Sequence, residues 1–405
     1  MFSKIVISGG WSYGNLGDEM IAVCTKGLID KYFPDVDKIY TSYDVEDFQA
    51  KHGIPAIESV HSKFVKQNCG LEDIAACIAS PGKYGLTEFN NCLDHNTLFI
   101  MAGGGYFDGN WYSQFAARIV EIELAVKAGA KAVIWGQSIG PFTDDTEVKW
   151  LKGALEKCSY INVRDDSSKS FIQRLLPERR ITCTPDSALL ISDFRPIYVS
   201  ESSEEPKCNL IVQIYNNYQD NGVRKKPNIH INKVAKRITL RLYRYNIAWV
   251  LLIRKLSVKL GMQCKIILNV QKTAKVNNNH FEKYARQLRK WSGCKEIEIV
   301  NDTDLDTFCK ELAKGDAIIS CKMHPLIVSA SYGVPVYAIS QHYKIDAFME
   351  WIGRGDKCHR NSSFFPDKIF RQVQNEMHEK HSASTALINE RKQEIYAVFE
   401  ELRSI

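Results

Sequence analysis

The amino-acid sequence predicts an α/β protein with two doubly wound parallel-sheet domains. Short runs rich in Val and Ile alternate with helix-length segments along the 405 residues, and this alternation is typical of β-α-β units. Most of the short runs are continuously apolar, as expected for parallel strands buried on both faces. We therefore expect two Rossmann-like domains that face each other across a cleft, with ligands beyond the carboxyl ends of the strands.

Length and composition agree with this prediction. A chain of 405 residues favours two domains, since domains usually contain roughly 100–200 residues. Hydrophobic residues make up 45% and charged residues 25%, which excludes collagen, coiled coils and extensive disorder. No apolar run approaches the roughly 18–20 residues of a membrane-spanning helix, and the amino terminus lacks the apolar core of a signal peptide. The sequence therefore predicts a cytoplasmic protein.

The first half of the chain contains five strand candidates and four helix candidates. The strands are predicted at Lys4–Ser8, Thr97–Met101, Lys131–Gly136, Tyr160–Val163 and Ile181–Thr184. The helices are predicted at Asp18–Phe33, Ser113–Gly129, Thr146–Cys158 and Ser167–Leu176.

The alternation stops at a polar stretch, Phe194–Lys207, which contains several Ser and Glu residues and ends near a proline, as linkers often do. Five further strands are predicted after it, at Cys208–Ile214, Cys264–Val270, Glu296–Val300, Ala317–Ser320 and Val334–Ile339. The predicted domains are 1–198 and 207–371, with a helical tail at 372–405.

Glycine-rich loops follow the first two predicted strands of the first domain. The stretch Gly9–Glu19 has four glycines before a helix whose free N–H groups favour anions. Gly103, Gly104 and Gly105 follow the second strand, and three glycines there suit an anion or a sugar lying against bare backbone. A purely structural turn is the alternative for both loops. Gln137 follows the third strand.

The second domain has its clearest signal after the strand Ala317–Ser320. The next residues are Cys321-Lys322-Met323-His324-Pro325, and Pro325 suits the first position of a helix. His324 is then expected at the N-cap, close to Lys322, although a histidine there can also serve only as a cap. His342-Tyr343-Lys344 follows the next strand.

Taken together, these motifs resemble the polysaccharide pyruvyl transferase family. They occur in the family's order between about residues 5 and 345. The motifs are Gly14-Asn15-Leu16-Gly17-Asp18-Glu19, Gly103-Gly104-Gly105, Gly136-Gln137-Ser138-Ile139-Gly140-Pro141, Val163-Arg164-Asp165, Asp186-Ser187-Ala188, Met323-His324, Gly333-Val334-Pro335 and Tyr343-Lys344. The resemblance implies a GT-B-like fold and transfer of pyruvate from phosphoenolpyruvate (PEP) to a sugar, usually as a cyclic ketal.

Two positions differ from the family pattern. Where the family usually has Arg-x-His, this sequence has Lys322-Met323-His324. An arginine that many members carry after the first strand of the second domain is absent from Gln213-Ile214-Tyr215-Asn216. Lysine binds phosphate as a point charge but lacks the two-pronged grip of arginine.

Transfer from PEP requires a proton donor, cations for the donor and a base for the acceptor. His324 is the best candidate for the proton donor, because histidine exchanges protons near neutral pH. Lys322, Lys344 and Met323 are expected to bind the donor. Asp18 is the preferred base, with Glu19, Asp108 and Asp186 as rivals. The acceptor-binding candidates are Asn15, Gly17, Glu19, Gly104, Gly105, Asp108 and Gln137. The resemblance therefore implies that domain 1–198 is the acceptor side and domain 207–371 the donor side.

No metal ion and no cofactor are expected, because PEP itself is the donor substrate. Asp304-Leu305-Asp306 resembles the Asp-x-Asp motif of metal-dependent transferases. It opens a predicted helix, however, so a capping role is the preferred interpretation.

Residues 221–260 contain eleven basic residues and no acidic residue, whereas the rest of the chain has 42 basic and 47 acidic residues. Leu, Tyr and Trp residues, among them Trp249, are interleaved with the basic ones. This pattern is typical of a helix that lies on an anionic membrane, and an ordinary helix with a basic outer face is the alternative. No nucleic-acid-binding motif accompanies it, so nucleic acid is not an expected partner.

The sequence leaves three functions open. The first is PEP-dependent pyruvyl transfer to a surface-polysaccharide or lipid-linked oligosaccharide precursor at the inner face of the membrane. The second is glycosyl transfer from a nucleotide sugar by a GT-B-type enzyme. The third is an inactive relative that binds glycans, which the retained His324 and the glycine-rich loops argue against.

Overall fold

The computed structural model describes residues 2–109, 112–142, 144–197, 206–212, 244–268, 279–300, 304–378 and 383–405. The chain divides into two compact units. Unit 1 comprises Met1–Ala188 and Arg391–Ile405, and unit 2 comprises Leu189–Glu390. The division after Ala188 precedes the polar stretch in which the sequence predicts a linker, and the last residues of the chain return to unit 1.

The described part of unit 1 contains an eight-stranded parallel sheet with the order β3-β2-β1-β4-β6-β7-β8, and β5 pairs with β6. The strands are β1 Lys4–Ser8, β2 Asp37–Ser42, β3 Ala56–Glu58, β4 Thr97–Met101, β5 Gly104–Phe107, β6 Lys131–Ile139, β7 Tyr160–Val163 and β8 Thr182–Cys183. β4 is buried along its whole length, in agreement with its continuous apolar sequence.

Helices cover the sheet of unit 1. They are α1 Leu16–Tyr32, α2 Val45–His52, α3 Val60–Gln67, α4 Ile74–Ala79, α5 Thr87–Asn91, α6 Tyr112–Lys127, α7 Asp145–Lys157 and α8 Asp166–Leu175. Short polar side chains cap several of them. Asp165, for example, accepts the backbone N–H of Ser168 at 2.8 Å, which satisfies one of the free donors at the start of α8.

The described part of unit 2 contains a six-stranded parallel sheet with the order β11-β10-β9-β12-β13-β14. The strands are β9 Lys207–Ile211, β10 Gln263–Ile267, β11 Glu298–Val300, β12 Ala317–Ser320, β13 Val336–Ser340 and β14 Cys358–Arg360. Its helices are α9 Ile191–Phe194, α10 over 244–254, α11 Asn279–Ser292, α12 Leu305–Ala313, α13 Met323–Ser331, α14 Tyr343–Trp351 and α15 Pro366–His378. A π-helical turn, Lys255–Lys259, continues α10.

The chain ends in α16, Ala383–Glu400, and a short 3-10 turn, Glu401–Ser404. The α16 residue Phe399 is fully buried in unit 1, where its ring lies 4.7 Å from that of Trp135. Glu401 accepts hydrogen bonds from the hydroxyl of Tyr160 at 2.8 Å and from both terminal nitrogens of Arg180. These contacts attach the end of the chain to unit 1.

The inner face of α10 packs in the core of unit 2. Trp249 is fully buried, and its ring centroid lies 6.3 Å from that of Tyr245 and 5.3 Å from that of Phe364. The expectation that Trp249 takes part in membrane contact is therefore wrong, because the indole ring belongs to the protein core. Most of the predicted basic segment, residues 221–243, lies outside the described residues.

Within the part of the chain that the structure describes, no helix combines the length and the apolar character needed to cross a bilayer.

Candidate functional site

Both sheets have the strand order of a Rossmann-type fold, in which the chain reverses its winding direction next to the first strand. The reversal lies between β1 and β4 in unit 1 and between β9 and β12 in unit 2. Ligands bind such sheets outside the carboxyl ends of the strands at this point. The loops after β1, β4 and β12 contain most of the residues that the sequence singles out.

The loop after β1 ends at the start of α1 with a compact polar cluster. The side chain of Asn15 caps the helix by accepting the N–H of Gly17 at 3.0 Å. Its amide nitrogen donates to Oδ2 of Asp18 at 2.8 Å. The other oxygen of Asp18 accepts the hydroxyl of Tyr106 at 3.2 Å. Two separate donors therefore fix the carboxylate of Asp18 in orientation.

The ring of Tyr106 lies against the backbone of two glycines. A Cβ atom added to Gly104 would meet this ring at 2.2 Å, and one added to Gly10 would meet the Tyr106 hydroxyl oxygen at 2.4 Å. The expectation of bare glycine backbone at Gly104 is wrong, because the tyrosine of the same strand covers it. Burial raises the pKa of Tyr106 well above its ordinary value, and Asp18 raises it further. The hydroxyl therefore remains a donor to Asp18.

A buried ion pair lies beneath this cluster. The guanidinium group of Arg118 donates to Glu121 at 2.8 Å, to the hydroxyl of Ser8 at 2.6 Å and to the carbonyl of Gly9 at 2.8 Å. It also stacks 4.8 Å from the ring centroid of Tyr106. Arg118 thus ties α6 to the end of β1 and to the tyrosine that contacts Asp18.

Glu19 supports the same loop from inside. Its carboxylate accepts the backbone N–H of Ser12 at 2.6 Å and lies 3.2 Å from Nε2 of His52. The side chain is buried. Glu19 was a candidate for base and for acceptor contact, but its position fits a role in holding the loop.

Gln137 is also buried, and its amide nitrogen donates to the carbonyl of Ala102. This position ties β6 to the end of β4 instead of presenting the amide to solvent. Next to it, Nε of Arg164 donates to Ser138 at 2.8 Å, and its terminal nitrogen pairs with Asp186. Burial alone would lower the pKa of Arg164, but Asp186 and Asp165 raise it above the ordinary value. Asp186, a rival for the base, is thus held in an ion pair.

The remaining candidates of unit 1 lie nearer the surface. Asn15 is exposed, and Asp18, Gly105 and Asp108 are half-buried, whereas Gly17 is buried in the first turn of α1. Tyr13, in the loop after β1, is 49% exposed. Its ring packs edge-on against Tyr43 with the centroids 4.6 Å apart. The loop therefore offers an aromatic surface in addition to the carboxylate.

In unit 2, the helix after β12 begins earlier than the sequence predicts. α13 starts at Met323 with Lys322 as the N-cap residue. The prediction of His324 as the N-cap and Pro325 as the first helical residue is therefore wrong by two positions. The reason is local. The hydroxyl of Ser320 accepts the N–H of Lys322 at 2.9 Å and donates to its carbonyl at 2.8 Å, so the chain turns directly after β12. His324 lies in the first turn of α13 and is half-buried.

Lys322 is largely enclosed by protein. Burial lowers the pKa of its ammonium group, and only Cys321 acts in the opposite direction. Cys321 itself is buried, with its sulfur 3.3 Å from the hydroxyl of Tyr245, which also accepts the amide of Gln341 at 3.3 Å. These contacts connect the loop after β12 to the loop after β13.

The loop after β13 repeats the geometry of the loop after β12. The hydroxyl of Ser340 donates to the carbonyl of His342 at 3.2 Å, as Ser320 does to Lys322. His342 is the N-cap of α14, and its Nδ1 accepts the N–H of Lys344 at 3.2 Å. Since β12 and β13 are adjacent, two helices begin side by side at the same edge of this sheet. Helix N-termini in this arrangement favour an anion.

Sequence reasoning missed several residues that the structure places in these clusters. Neither Tyr106 nor the pair Arg118 and Glu121 is among the residues that the sequence singles out. A signal for the pair does exist in the sequence, because the two charges lie three residues apart in the largely apolar middle of α6. The contact between Arg118 and Ser8 was not predicted, because the two residues lie far apart in the sequence.

No group of three His, Cys, Asp or Glu side chains suited to a metal ion occurs among the described residues. Asp304 caps α12 by accepting the N–H of Thr307 at 2.8 Å. This contact agrees with the interpretation of the Asp-x-Asp motif as a helix start.

A family model described as polysaccharide pyruvyl transferase matches residues 15–343. This range includes the loop that carries Asp18, the loop that carries His324 and the first residue of α14. No curated protein has a sequence significantly similar to this chain.

Solved structures of other proteins share the fold at low sequence identity. A putative UDP-N-acetylglucosamine 2-epimerase from Listeria monocytogenes is 9% identical with a TM-score of 0.60, covering 100% of this chain and 96% of its own. The Neisseria meningitidis UDP-GlcNAc 2-epimerase bound to UDP-GlcNAc is 12% identical with a TM-score of 0.60, and the match covers 99% of this chain and 100% of the epimerase. Anabaena HepE in complex with UDP is 8% identical with a TM-score of 0.56, and the match covers 99% of this chain and 98% of HepE. These similarities confirm the predicted GT-B-like fold.

Proposed function

The chain belongs to the polysaccharide pyruvyl transferase family, and on this basis we propose that it transfers a pyruvyl group from PEP to a sugar. The acceptor in this proposal belongs to a surface-polysaccharide or lipid-linked oligosaccharide precursor, and the product is a ketal. The observation that carries the proposal is the pair of adjacent helix starts in unit 2. There, Lys322 and His324 begin α13, and Lys344 lies in the first turn of α14.

These groups suit the two anionic ends of PEP. The N-termini of α13 and α14 present free N–H groups, and Lys322 and Lys344 add positive charge. We assign the phosphate and the carboxylate of PEP to this edge of the sheet, with Met323 as an apolar contact for the methylene group. The half-buried position of His324 excludes part of the water that would compete for its proton.

The proposed reaction has two additions to C2 of PEP. His324 gives a proton to the methylene carbon, which becomes the methyl group, while an acceptor hydroxyl bonds to C2 and loses its own proton to a base. A second hydroxyl of the sugar then bonds to C2, and the C2–O bond to phosphate breaks. The proton of the second hydroxyl leaves with the phosphate. The net products are the cyclic ketal and inorganic phosphate.

Asp18 is our candidate for the base. Asn15 and Tyr106 orient its carboxylate, and of its rivals Glu19 and Asp186 are committed to contacts within unit 1. Asp108 is half-buried and remains the second choice. The exposed ring of Tyr13 offers a face for a sugar, in the way that aromatic residues commonly pack against apolar faces of ligands.

A nucleotide-sugar glycosyltransferase is the second candidate function. Two observations favour it: Lys322 stands where the family usually has arginine, and structures that share the fold were solved with UDP or UDP-GlcNAc. The acceptor and the donor would then bind at the strand ends proposed above for the sugar and for PEP, but the leaving group would be a nucleoside diphosphate.

Thermal unfolding with different ligands distinguishes the two candidates. We expect PEP to raise the melting temperature, because a ligand at about 100 times its Kd stabilises the folded state by about 2.7 kcal/mol. UDP-GlcNAc and a GDP-sugar should have little effect. Lys322→Ala should lose the PEP response, while Lys314→Ala, which removes an exposed lysine from the same unit, should keep it.

Stabilisation by a nucleotide sugar together with no response to PEP would overturn pyruvyl transfer in favour of glycosyl transfer. A direct assay complements the binding test. Incubation with PEP and a sugar that carries a suitable diol should release one phosphate for each ketal methyl group that appears in the proton NMR spectrum.

A further inference from the structure

The outer face of α10 differs from that of an ordinary surface helix. Residues at 244, 247, 251 and 254 are exposed, and this spacing of three and four places them on one side of the helix. Ile247 is 38% exposed and Leu251 is 43% exposed, and Val258 in the following π-helical turn is 73% exposed. Exposed basic residues accompany them: Arg244, Arg254 and Lys259. We call these six residues the α10 outer face.

Two of the other helices, α7 and α12, expose only polar residues. The exposed residues of α7 are Asp145, Thr146, Lys149, Lys152, Glu156 and Lys157. Those of α12 are Asp306, Thr307 and Lys310. Both helices mix acidic and basic side chains, as solvated faces usually do. The α10 outer face instead combines large apolar residues with basic residues alone.

The surroundings extend this apolar and basic character. Phe364 packs on Trp249 of α10, and its neighbour Phe365 is 62% exposed. Asp367 pairs with Lys255 of the π-helical turn and also interacts with Lys259. The segment 244–260 itself contains no acidic residue. Apolar groups and an excess of positive charge therefore occupy the same part of unit 2.

We propose that the α10 outer face docks on an anionic lipid bilayer. Shallow insertion of Ile247, Leu251 and Val258 between the headgroups would bury their exposed area, and Arg244, Arg254 and Lys259 would meet the lipid phosphates. Amphipathic helices bind membrane surfaces by this combination of apolar burial and attraction to anionic lipids. The charge complementarity selects a lipid surface, because a second copy of this chain would place like charges opposite one another.

This inference goes beyond the proposed function and does not depend on the donor. Under the proposed function it accounts for access to a lipid-linked acceptor, since docking brings unit 2 to the surface where such a substrate is anchored. If PEP does not bind, the proposal of membrane docking still stands. If the protein does not dock on vesicles, the assignment of PEP as the donor still stands.

Co-sedimentation of the full chain with vesicles tests the proposal. We expect binding to vesicles that contain phosphatidylglycerol, little binding to pure phosphatidylcholine vesicles, and progressive release as salt is raised from 50 to 500 mM. Each basic residue whose attraction to the lipid is removed should weaken the affinity by about fivefold or more. The double variant Arg244→Glu and Arg254→Glu should weaken binding at least about 25-fold. The triple variant Ile247→Ser, Leu251→Ser and Val258→Ser should weaken it at least about tenfold.

The matched control changes two exposed lysines of the same unit, Lys310→Glu and Lys314→Glu, and should bind vesicles like the wild type. Circular dichroism and melting temperature verify that each variant is folded. Equal binding to neutral and anionic vesicles, or α10 variants that bind as tightly as the wild type, would overturn the proposal. So would a wild-type dimer that the triple variant converts to a monomer in sedimentation velocity, because a second copy would then cover this face.

Discussion

Lys322 is a cation in surroundings that do not favour its charge. It follows a buried cysteine and caps α13, and burial lowers the pKa of its ammonium group. An arginine at this position, as in the usual family pattern, would retain its charge at every relevant pH. If unit 2 binds the donor as proposed, a lysine at this position therefore makes that binding depend on pH.

A first prediction concerns this link. In the proposed function, Lys322 binds the anionic donor in its charged form, and this charge is lost as the pH rises through the lowered pKa of the lysine. As the pH is raised, we therefore expect the Kd for PEP to increase, and this increase should begin at a lower pH than the one at which an ordinary lysine loses its charge. In Lys322→Arg the alkaline loss should disappear, because the guanidinium group stays protonated. Isothermal titration calorimetry across the alkaline range measures both profiles, and identical profiles would contradict the assignment.

The second prediction separates catalysis from binding. His324→Ala should reduce turnover by at least roughly a hundredfold, the lower end of the range for general acid catalysis, while the Kd for PEP changes little. His280→Ala, which removes an exposed histidine at the start of α11, serves as the control and should keep full activity. Near-normal turnover of His324→Ala would show that another group supplies the proton.

The sequence points to Lys322, His324 and Asp18 as candidates because each lies in the loop or the first helical turn that follows a recognisable strand. It did not identify the contacts of Glu19 or Gln137. Both are polar residues beside glycines, and nothing in a single sequence distinguishes a side chain that faces a ligand from one that holds the loop. Burial decides this question, and burial depends on distant residues such as His52 and Ala102.

At the level of elements, continuous apolar runs were reliable guides. β1, β4, β7 and β12 have the bounds that the sequence predicts. β2 was missed because Asp37–Ser42 is largely polar and only its second half is buried. β5 was missed because three consecutive glycines usually indicate a loop, whereas here Gly104 is a strand residue that leaves room for the ring of Tyr106.

The third prediction tests that packing. Gly104→Ala should destabilise the protein by about 1–3 kcal/mol, the usual cost of overpacking, because the new methyl group would displace the Tyr106 ring. In a Tyr106→Ala background the same change should cost much less, so a double-mutant cycle isolates the contact. Urea unfolding provides the free energies.

Gly153→Ala is the matched control for this experiment. Gly153 lies within α7, and an added Cβ would meet no atom within 4 Å. The substitution should stabilise the protein by about 0.5–1 kcal/mol, since glycine is unfavourable inside a helix. Equal effects of the two substitutions would mean that Tyr106 does not rest on Gly104.

For the molecule as a whole, the two units differ in continuity. Unit 2 is one unbroken stretch, Leu189–Glu390, whereas unit 1 also requires Arg391–Ile405. The sequence predicted a helical end of the chain but not its place. Its buried residues, among them Ile395 and Phe399, are spaced like those of any amphipathic helix, and this spacing does not reveal which core they enter.

The fourth prediction measures the contribution of that attachment. Phe399→Ala should destabilise unit 1 by about 3–5 kcal/mol, because it removes a fully buried ring beside Trp135. Gln393→Ala, at an exposed position of the same helix, should change stability by less than about 0.5 kcal/mol. Trp fluorescence during urea unfolding reports on the change, and similar effects of both substitutions would contradict the packing role.

The interrupted order of unit 1 has a consequence for how the protein is made. The ribosome completes residues up to Ala188 first, but it delivers Arg391–Ile405 only after the whole of unit 2. At roughly 5–20 residues per second, the roughly 200 intervening residues take about 10–40 s to translate. Throughout that interval the nascent first unit presents Trp135 without Phe399. A ribosome paused near residue 390 would therefore have synthesised all of unit 2 while unit 1 still lacked its last segment, with the apolar surface around Trp135 open to chaperones.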